Sequence, residues 1–236
     1  MLSTAQLEEL RQFDTPTVCN ALAAMRLRPA TVGFSHPGLQ RRTPDTGPLV
    51  GYAATARVSG WTSPTAAQKD LLFDFFADVL ATASPCVVVV EDVDRHPIGS
   101  FWGEVQATTF LALGAVGSLT QGGVRDIPEV AGLGFSFFST EIMVARAESH
   151  LVDHGSPVRV CGLEVAPSDL IHADQHGATV IPSQAAADLA RACRVVAEAE
   201  RQVLEPCRQA IATGQRPSVS DLRRWRTAMA AQRSLD

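Results

Sequence analysis

The feature that most restricts the fold of this chain is the run Cys86–Glu91, which reads CVVVVE. β-Branched residues such as valine favour strands, because their side chains pack well on a pleated surface. An unbroken apolar run lacks the alternation of a strand with one wet face and is typical of a strand buried on both faces. The run therefore predicts an interior strand of a sheet that is covered on two sides.

Strand and helix patterns alternate around this run, from about residue 50 to residue 140. A strand is predicted at Val50–Ser59, and a helix follows from Ser63–Pro64 to residue 83. One face of that helix carries the i, i+3, i+4, i+7 apolar spacing in Leu72, Phe75, Phe76 and Val79. Further strands are predicted at 115–120, 135–140, 158–165, 170–173 and 178–181, and further helices at 103–113 and 127–133.

Helical patterns flank this region at both ends of the chain. Residues 4–27 form two predicted segments, the first capped by Thr4 and the second recapped at Asp14–Thr17. Helices are also predicted over 183–213 and 218–232. We therefore expect one α/β domain with a mixed sheet over residues 1–236, divided into N-terminal helices (1–30), an α/β core (48–182) and a C-terminal helical extension (183–236).

The charged residues restrict the chemistry. Of 20 basic residues only Lys69 is a lysine, and 25 acidic residues give a net charge of −5. A Schiff-base or phosphate-loop mechanism must therefore use Lys69 or not occur. The arginines are scattered, so no concentrated basic face predicts nucleic acid as the main partner.

Location is inferred from the N-terminus and the cysteines. The start of the chain lacks a charged-then-apolar leader, and no apolar run is long enough to cross a membrane, so we expect a cytoplasmic protein. Five widely spaced cysteines form no C-x-x-C pair, which argues against zinc-ribbon and thioredoxin sites. We interpret them as reduced thiols.

The densest polar cluster of the alternating region is Gly122–Glu129, between a predicted strand and a helix. Open α/β sheets bind ligands at such strand-to-helix loops, and two glycines allow close approach of the backbone. Adjacent Arg125 and Asp126 can face one pocket. The alternative is structural, since Asp126 and Glu129 also fit the cap and first turn of the helix.

A second candidate is the turn Phe101–Gln106, which opens a helix whose unpaired N–H groups favour an anion. Glu104 fits either a partner of metal-bound water or a favourable first-turn charge.

Together these two loops resemble the RraA-like family. Gly103-Glu104 is followed, after 21 residues counted from Gly103, by Arg125-Asp126-x-x-Glu129. The family includes class II 4-hydroxy-4-methyl-2-oxoglutarate/4-carboxy-4-hydroxy-2-oxoadipate aldolases and the regulator of ribonuclease E activity A. The resemblance covers roughly residues 10–182, and the supporting motifs are Asp14–Thr17, Gly51–Ala56, Gly122–Asp126, Gly134-Phe135 and Asp169–Gly177.

The resemblance implies a compact swivelling β/β/α-type domain that forms homotrimers or hexamers with active sites between subunits. It implies that Asp126 is the direct ligand of Mg²⁺ or Mn²⁺ and that Arg125 contacts a keto-acid substrate. Glu104 is the implied acidic group near the metal-bound waters. The implied carboxylate cradle is the set of backbone amides of Gly103, Glu104, Val105 and Gln106. Gln121 replaces an aspartate that many members carry, which affects a local hydrogen bond and substrate choice.

The predicted activity is a carbon–carbon lyase, with Arg125, Asp126 and Glu104 as the catalytic residues. It cleaves a 4-hydroxy-2-oxo di- or tricarboxylic acid to pyruvate and a second oxo acid through a metal-stabilised enolate, and decarboxylates oxaloacetate. The only lysine lies far in sequence from both loops. We therefore expect a metal ion, and not a lysine imine, to stabilise the negative charge of the enolate. The alternative is a non-enzymatic, protein-binding regulator of a ribonuclease, which the same fold supports.

Other polar groups leave both structural and functional interpretations open. Glu91, Asp92 and Asp94 fit a pocket rim or an acidic turn. Alternate positions along the chain carry His172, Asp174 and His176, which fits either a metal site or a structural turn. A solvent-exposed loop is expected to be flanked by His150 and His154. Arg223, Arg224 and Arg226 predict a basic helix face of the kind found at subunit contacts.

Overall fold

The structure is a computed structural model that describes residues 1–44 and 46–233. Two short helices open the chain, α1 (Thr4–Leu10) and α2 (Thr15–Ala24). Asp14 caps α2 by accepting the N–H of Thr17 at 2.8 Å, as expected. The cap of α1 is Ser3 rather than the predicted Thr4, because the Ser3 hydroxyl and the Gln6 side chain form a reciprocal capping box.

The main sheet has eight strands. They are β1 (Gln40–Arg41), β2 (Leu49–Ser59), β3 (Cys86–Asp92), β4 (Ala115–Thr120), β6 (Ser136–Ser139), β8 (His150–His154), β11 (Leu170–Asp174) and β12 (Gly177–Ile181). The path of the sheet runs in the order β1, β6, β4, β3, β2, β11, β12, and β8 also pairs with β2. Strands β2, β3, β4 and β6 are parallel neighbours, whereas β1, β8, β11 and β12 pair antiparallel.

Three helices connect the parallel strands and cover one face of the sheet. They are α3 (Ala66–Ala81), α4 (Glu104–Ala112) and α5 (Ile127–Leu133). Phe75 of α3 and Phe110 of α4 are completely buried there. The predicted stripe of α3 is confirmed, since Phe75 and Val79 are buried and Leu72 and Phe76 pack against them.

The valine run forms the interior strand that the sequence predicts. Val88 and Val90 pack in the helical layer, whereas Val87 and Val89 contact a second apolar cluster on the opposite face. That face is covered by a hairpin of β9 (Val158–Val160) and β10 (Leu163–Val165). Residues 158–165 are thus two strands instead of the predicted one, because Cys161 and Gly162 turn the chain with positive φ.

Two-residue strands and C-terminal helices complete the described chain. β5 (Gly123–Val124) pairs in parallel with β7 (Glu141–Ile142). After α6 (Ser183–Ala186), the long helix α7 (Leu189–Thr213) packs its first half on α1 and α2, and α8 (Val219–Gln232) follows without a buried residue. The predicted mixed α/β fold with flanking helices is confirmed. None of the described helices is long and apolar enough to cross a membrane.

Candidate active site

The two predicted loops meet at the carboxyl edge of the parallel strands. Trp102 forms an isolated bridge to Val124, and the N–H of Arg125 donates to the Trp102 carbonyl at 3.2 Å. The Ser100 hydroxyl also lies within hydrogen-bonding distance of the Trp102 and Gly123 carbonyls. Residues 100–104 and 122–126 are therefore held together by backbone contacts, as expected for strand-to-helix loops at one sheet edge.

Asp126 has a backbone conformation that is uncommon outside glycine, although aspartate tolerates it better than most residues. Its φ of 55° and ψ of 40° lie in the left-handed region, which costs about 1–3 kcal/mol outside glycine. Its side chain makes no cap hydrogen bond to its own helix, α5. Instead, Oδ2 accepts the N–H of Glu104 at 3.0 Å, at the start of α4. Asp126 therefore occupies the N-cap position of α5, as the structural alternative expects, but its side chain does not cap that helix.

Arg125 lies beside this carboxylate without a tight ion pair. Its Nε is 3.8 Å from Asp126 Oδ2, and the two side chains are 38% and 33% exposed. Within the described part of the chain, Arg125 has no second carboxylate partner. The guanidinium therefore keeps donor groups that can contact a ligand.

Gly103 makes this arrangement possible by having no side chain. A Cβ at that position would lie 2.6 Å from Asp126 Oδ2 and 3.2 Å from Arg125 Nε. Gly103 is also the N-cap of α4, so the helix supplies no acceptors for the N–H groups of Val105 and Gln106. Glu104 is exposed and Val105 is 77% exposed, so this first turn faces outward.

Asp92 lies on the other side of the second loop. A Cβ on Gly122 would lie 2.8 Å from Asp92 Oδ2, and Gln121 Nε2 donates to the Asp92 carbonyl at 2.9 Å. Burial of the Asp92 side chain raises its pKa to about 6. Gln121 therefore helps to position the loop through the backbone of β3.

The family to which this chain belongs is shown by a match to a family model, and the matched residues include both loops. A family model described as RraA-like, Aldolase/RraA, matches residues 15–180. The chain belongs to the RraA-like family. The helices α6, α7 and α8 follow the matched region.

Two curated relatives are similar over different spans. A Halalkalibacterium halodurans protein named "Putative 4-hydroxy-4-methyl-2-oxoglutarate aldolase" is 26% identical over 189 residues, 77% of this chain and 80% of that protein. Protein DlpA of Legionella pneumophila is 25% identical over 118 residues, 49% of this chain. The matched segment is only 19% of DlpA, so that protein as a whole says little about this chain.

Solved structures show the same fold. An uncharacterized protein from Pseudomonas syringae pv. tomato has a TM-score of 0.70 at 25% identity, covering 96% of this chain and 94% of its own. Streptomyces coelicolor RraAS2, titled an unusual member of the RNase ES inhibitor RraA protein family, has a TM-score of 0.65 at 23% identity. That likeness covers 88% of this chain and 97% of RraAS2 and concerns the fold alone.

The His172 cluster is structural in this RraA-like chain. His172 is buried, with Nε2 bonded to the Leu10 carbonyl and Nδ1 to the Thr15 hydroxyl at 3.0 Å. Asp174 accepts the N–H groups of Thr15 and His176, each at 2.8 Å. These contacts attach α2 to β11, and across residues 1–44 and 46–233 no group of three His, Cys, Asp or Glu side chains could hold a metal ion.

Several other sequence interpretations need correction. His150 and His154 are the ends of strand β8 and not the flanks of a loop, and His154 Nδ1 is 2.6 Å from Asp78 Oδ2. Glu91 binds Arg57 at 3.0 Å. Asp94 accepts the Ser59 hydroxyl and the Gly60 N–H, so only Asp92 of the acidic trio lies against the Gly122 loop. The thiols are free, and burial raises the pKa of Cys86 and Cys193 to about 12.

The donor set at Asp126 suits one class of cation. Mg²⁺ is usually bound by one or two carboxylates and otherwise keeps water or takes substrate oxygens. The single, partly exposed Asp126 carboxylate with exposed Glu104 nearby fits this mode of binding, whereas a zinc site needs three or four side-chain ligands. The structure therefore fits the expected cation, which remains a prediction.

Large apolar side chains are exposed in the segments that follow the parallel strands, and no sequence pattern predicted them. We call this set the exposed apolar rim. Its members lie in loops, in the first turn of α4 or in β7, and they are Trp61, Val93, Ile98, Val105, Ile142 and Val144. Exposed apolar side chains that lie close together are typical of a surface that another protein covers.

Proposed function

We propose that this chain is a divalent-metal-dependent lyase that cleaves a 4-hydroxy-2-oxo di- or tricarboxylic acid to pyruvate and a second oxo acid. It would also decarboxylate oxaloacetate, because both reactions leave the same pyruvate enolate. The observation that supports this proposal most strongly is the left-handed Asp126, whose carboxylate serves another helix and stays one-third exposed beside Arg125. Backbone strain of this kind is concentrated at functional sites.

Asp126 would hold Mg²⁺ or Mn²⁺, with Glu104 beside the ion's waters. When bound, such an ion supplies Lewis-acid stabilisation of negative charge on the keto oxygen of the substrate. The Asp126 carboxylate is placed for this role because its hydrogen bond to the Glu104 N–H fixes the orientation of the side chain.

The other residues of the chain bind and orient the substrate. The N–H groups at the start of α4, at Val105 and Gln106, would receive the carboxylate next to the keto group, since a helix N-terminus favours an anion. The bond between the third and fourth carbons then breaks. Its electron pair stays on the third carbon as the enolate, while the fourth-carbon hydroxyl gives its proton to solvent water and becomes a carbonyl. The third carbon then takes up a proton from water, which completes pyruvate. Arg125 carries a fixed positive charge beside the developing oxyanion.

The exposed apolar rim supports a homo-oligomer with the site at a subunit contact. Because the residues of the rim follow the same parallel strands whose loops carry Arg125 and Asp126, a second copy of the chain that covers the rim would lie next to the site and exclude water from it. A trimer or a hexamer is the assembly proposed.

The test is pyruvate release from oxaloacetate and from 4-hydroxy-4-methyl-2-oxoglutarate, with added Mg²⁺ and after EDTA. We expect turnover that EDTA abolishes and Mg²⁺ restores. Arg125→Ala and Asp126→Ala should each reduce it by about three orders of magnitude, or about 4 kcal/mol of barrier. The exposed pair Arg159 and Glu164 supplies matched controls, since Arg159→Ala and Glu164→Ala keep full turnover.

Turnover that survives EDTA would contradict the proposal. A second result would replace it with the ribonuclease-regulator alternative, namely binding to a ribonuclease with no lyase activity on either oxo acid. Circular dichroism of each variant separates a lost function from a lost fold.

A further inference from the structure

A small cavity lies beside the first loop of the candidate active site, since Phe101 and Gln106 belong to its lining. Its volume is about 150 Å³. Its polar lining is dominated by side chains that donate hydrogen bonds, and its apolar lining includes Phe101, Leu72 and Leu151. We call it the basic cavity, defined by Lys69, Gln106, Arg146 and His150.

The basic cavity and the site share one turn of helix. Phe101 and Gln106, which line the cavity, stand two residues before and three residues after Gly103. Because a helix rises only about 1.5 Å per residue, Gln106 lies within about 5 Å along the axis of the Gly103 position. When the keto-acid end of a substrate lies at the N–H groups of this turn, the other end of the substrate therefore lies near the cavity.

The charges of the basic cavity are not compensated. None of its lining side chains is a carboxylate. Lys69 and Arg146 each lack an ion pair throughout the described residues. Arg146 donates only from Nη2, to the Ser149 carbonyl at 3.0 Å. Both cations are exposed to solvent and have no carboxylate partner in the part of the chain that the structure describes, so an anion that enters the cavity would meet two positive charges beside the apolar side chains of Phe101, Leu72 and Leu151.

The backbone of Arg146 is held in place against the site loop. The Ser100 N–H donates to the Ala145 carbonyl at 3.0 Å. A Cβ on Gly99 would lie 2.3 Å from the Arg146 carbonyl oxygen, so this close approach requires glycine. The loop that carries Arg146 is thus built against the segment that leads into Gly103.

We propose that the basic cavity binds the far carboxylate of the oxo-acid substrate, with Lys69 and Arg146 as residues that determine specificity for dicarboxylic over monocarboxylic oxo acids. This inference rests on the proposed lyase function. It gives Lys69 a role in substrate recognition, although the sequence places this lysine outside the predicted chemistry. Arg146 is a site residue that the sequence did not indicate, because its contact with the site depends on the packing of residues 99–100 and 145–147.

The first test compares two substrates that differ only at the far end. 4-Hydroxy-2-oxoglutarate carries a carboxylate where 4-hydroxy-2-oxopentanoate carries a methyl group. We expect the wild-type protein to prefer the dicarboxylate in kcat/KM. Lys69→Ala and Arg146→Ala should each reduce the ratio of the two kcat/KM values at least tenfold, mainly through KM for the dicarboxylate. Lys69→Arg keeps the charge and should retain most of the ratio, and Arg159→Ala serves as the surface control.

The second test does not depend on turnover. Calorimetric titration with glutarate and with butyrate measures the same discrimination as binding. We expect the wild-type protein to bind glutarate at least tenfold more tightly, and the Lys69→Ala/Arg146→Ala double variant to lose that preference. An unchanged preference in the double variant, or no preference in the wild type, would overturn the proposal.

The two tests also separate the cavity from the lyase function. A wild-type protein that cleaves neither substrate but shows a glutarate preference dependent on Lys69 and Arg146 contradicts only the lyase. A protein that cleaves both substrates at a ratio unaffected by Lys69→Ala and Arg146→Ala contradicts only the cavity assignment.

Discussion

Asp126 and Asp174 perform the same local task in two different settings. Each carboxylate accepts the N–H of the first residue of a helix that is distant in sequence, Glu104 at 3.0 Å for Asp126 and Thr15 at 2.8 Å for Asp174. The other oxygen of Asp174 accepts the N–H of His176, and the Asp174 side chain is only 2% exposed. Asp126 is one-third exposed and meets only a guanidinium at 3.8 Å.

The difference separates a structural carboxylate from one that can still bind a ligand. Burial alone would raise the pKa of Asp174, but the N–H groups of Thr15 and His176 outweigh that effect and the pKa is lowered. Asp174 is therefore a saturated acceptor. The number of polar residues nearby does not distinguish the two sites. They are distinguished by the strained backbone of Asp126 and by the hydrogen bonds that its carboxylate can still accept.

The largest difference is expected in stability. Asp174→Ala leaves the buried N–H of Thr15 and the partly buried N–H of His176 without their charged acceptor, so we expect a loss of about 3 kcal/mol in the free energy of unfolding. Asp126→Ala should change it by less than about 1 kcal/mol, because the side chain is partly exposed and its removal leaves one solvent-accessible N–H. Urea unfolding of both variants measures the two values.

The pH dependence sharpens this contrast. Because the pKa of Asp174 is lowered in the folded state, its stabilisation is present above the unfolded pKa of about 3.9 and is lost as the pH falls through the folded value. The difference between the wild type and Asp174→Ala should therefore shrink in acid. Equal losses for Asp126→Ala and Asp174→Ala would contradict the comparison.

An intermediate effect is expected at Gly103, on activity and not on the fold. In Gly103→Ala the new methyl group conflicts with Asp126 Oδ2 and must displace it. We expect kcat to fall by about 10- to 100-fold, or about 1.4–2.7 kcal/mol of barrier. Gly132→Ala is the matched control, since a Cβ there meets nothing within 4 Å. Full activity of Gly103→Ala would show that Asp126 does not need its observed position.

A comparable or smaller effect is expected at Asp92. Burial raises its pKa to about 6, above the unfolded value, so the folded state is penalised as the pH rises from about 4 through 6. Asp92→Asn removes that penalty and can still accept the Asp94 N–H, which is 3.0 Å from Asp92 Oδ1. We expect it to gain about 2 kcal/mol in stability at pH 8 and almost nothing at pH 4, as measured by urea unfolding at both values. A loss at pH 8 would indicate that the charged form is stabilised.

The smallest effect is expected from reduction with borohydride. If the enolate does not form through an imine, borohydride added during turnover of oxaloacetate leaves the mass of the peptide that contains Lys69 unchanged, and the protein keeps its activity on fresh substrate after the reagent is removed. Mass spectrometry of that peptide measures this directly. A pyruvyl adduct on Lys69 would make the lysine, and not Asp126, the centre of the chemistry.

Much of the fold could be predicted from the sequence because local and long-range signals agree. The β3 valines and the stripe of α3 carry a period that the packing uses directly. β4 and α5 have the bounds that the sequence predicts. The turn at Cys161–Gly162 was missed because valines flank it on both sides, and β8 because His150 and His154 resemble loop residues.

The site could be predicted only in part. Arg125, Asp126 and Gly103 were accessible through their motif, and the structure brings all three together. The hydrogen bond from the Glu104 N–H of α4 to the Asp126 carboxylate could not be predicted. The two residues are 22 positions apart, and their contact depends on β4 to bring the loops together. The basic cavity was missed for the same reason, since its residues come from α3, α4 and the segment before β8.

The first turn of α4 has a consequence for how this protein can change over generations. Its backbone N–H groups lack helical acceptors, whereas the Gln106 side chain lines the basic cavity. Under the proposed function, substitutions at Lys69 or Arg146 would alter which acids are accepted while the amides, Gly103 and Asp126 stay as they are. The reaction and the choice of substrate would then be separable in heredity, although a single helical turn supports both.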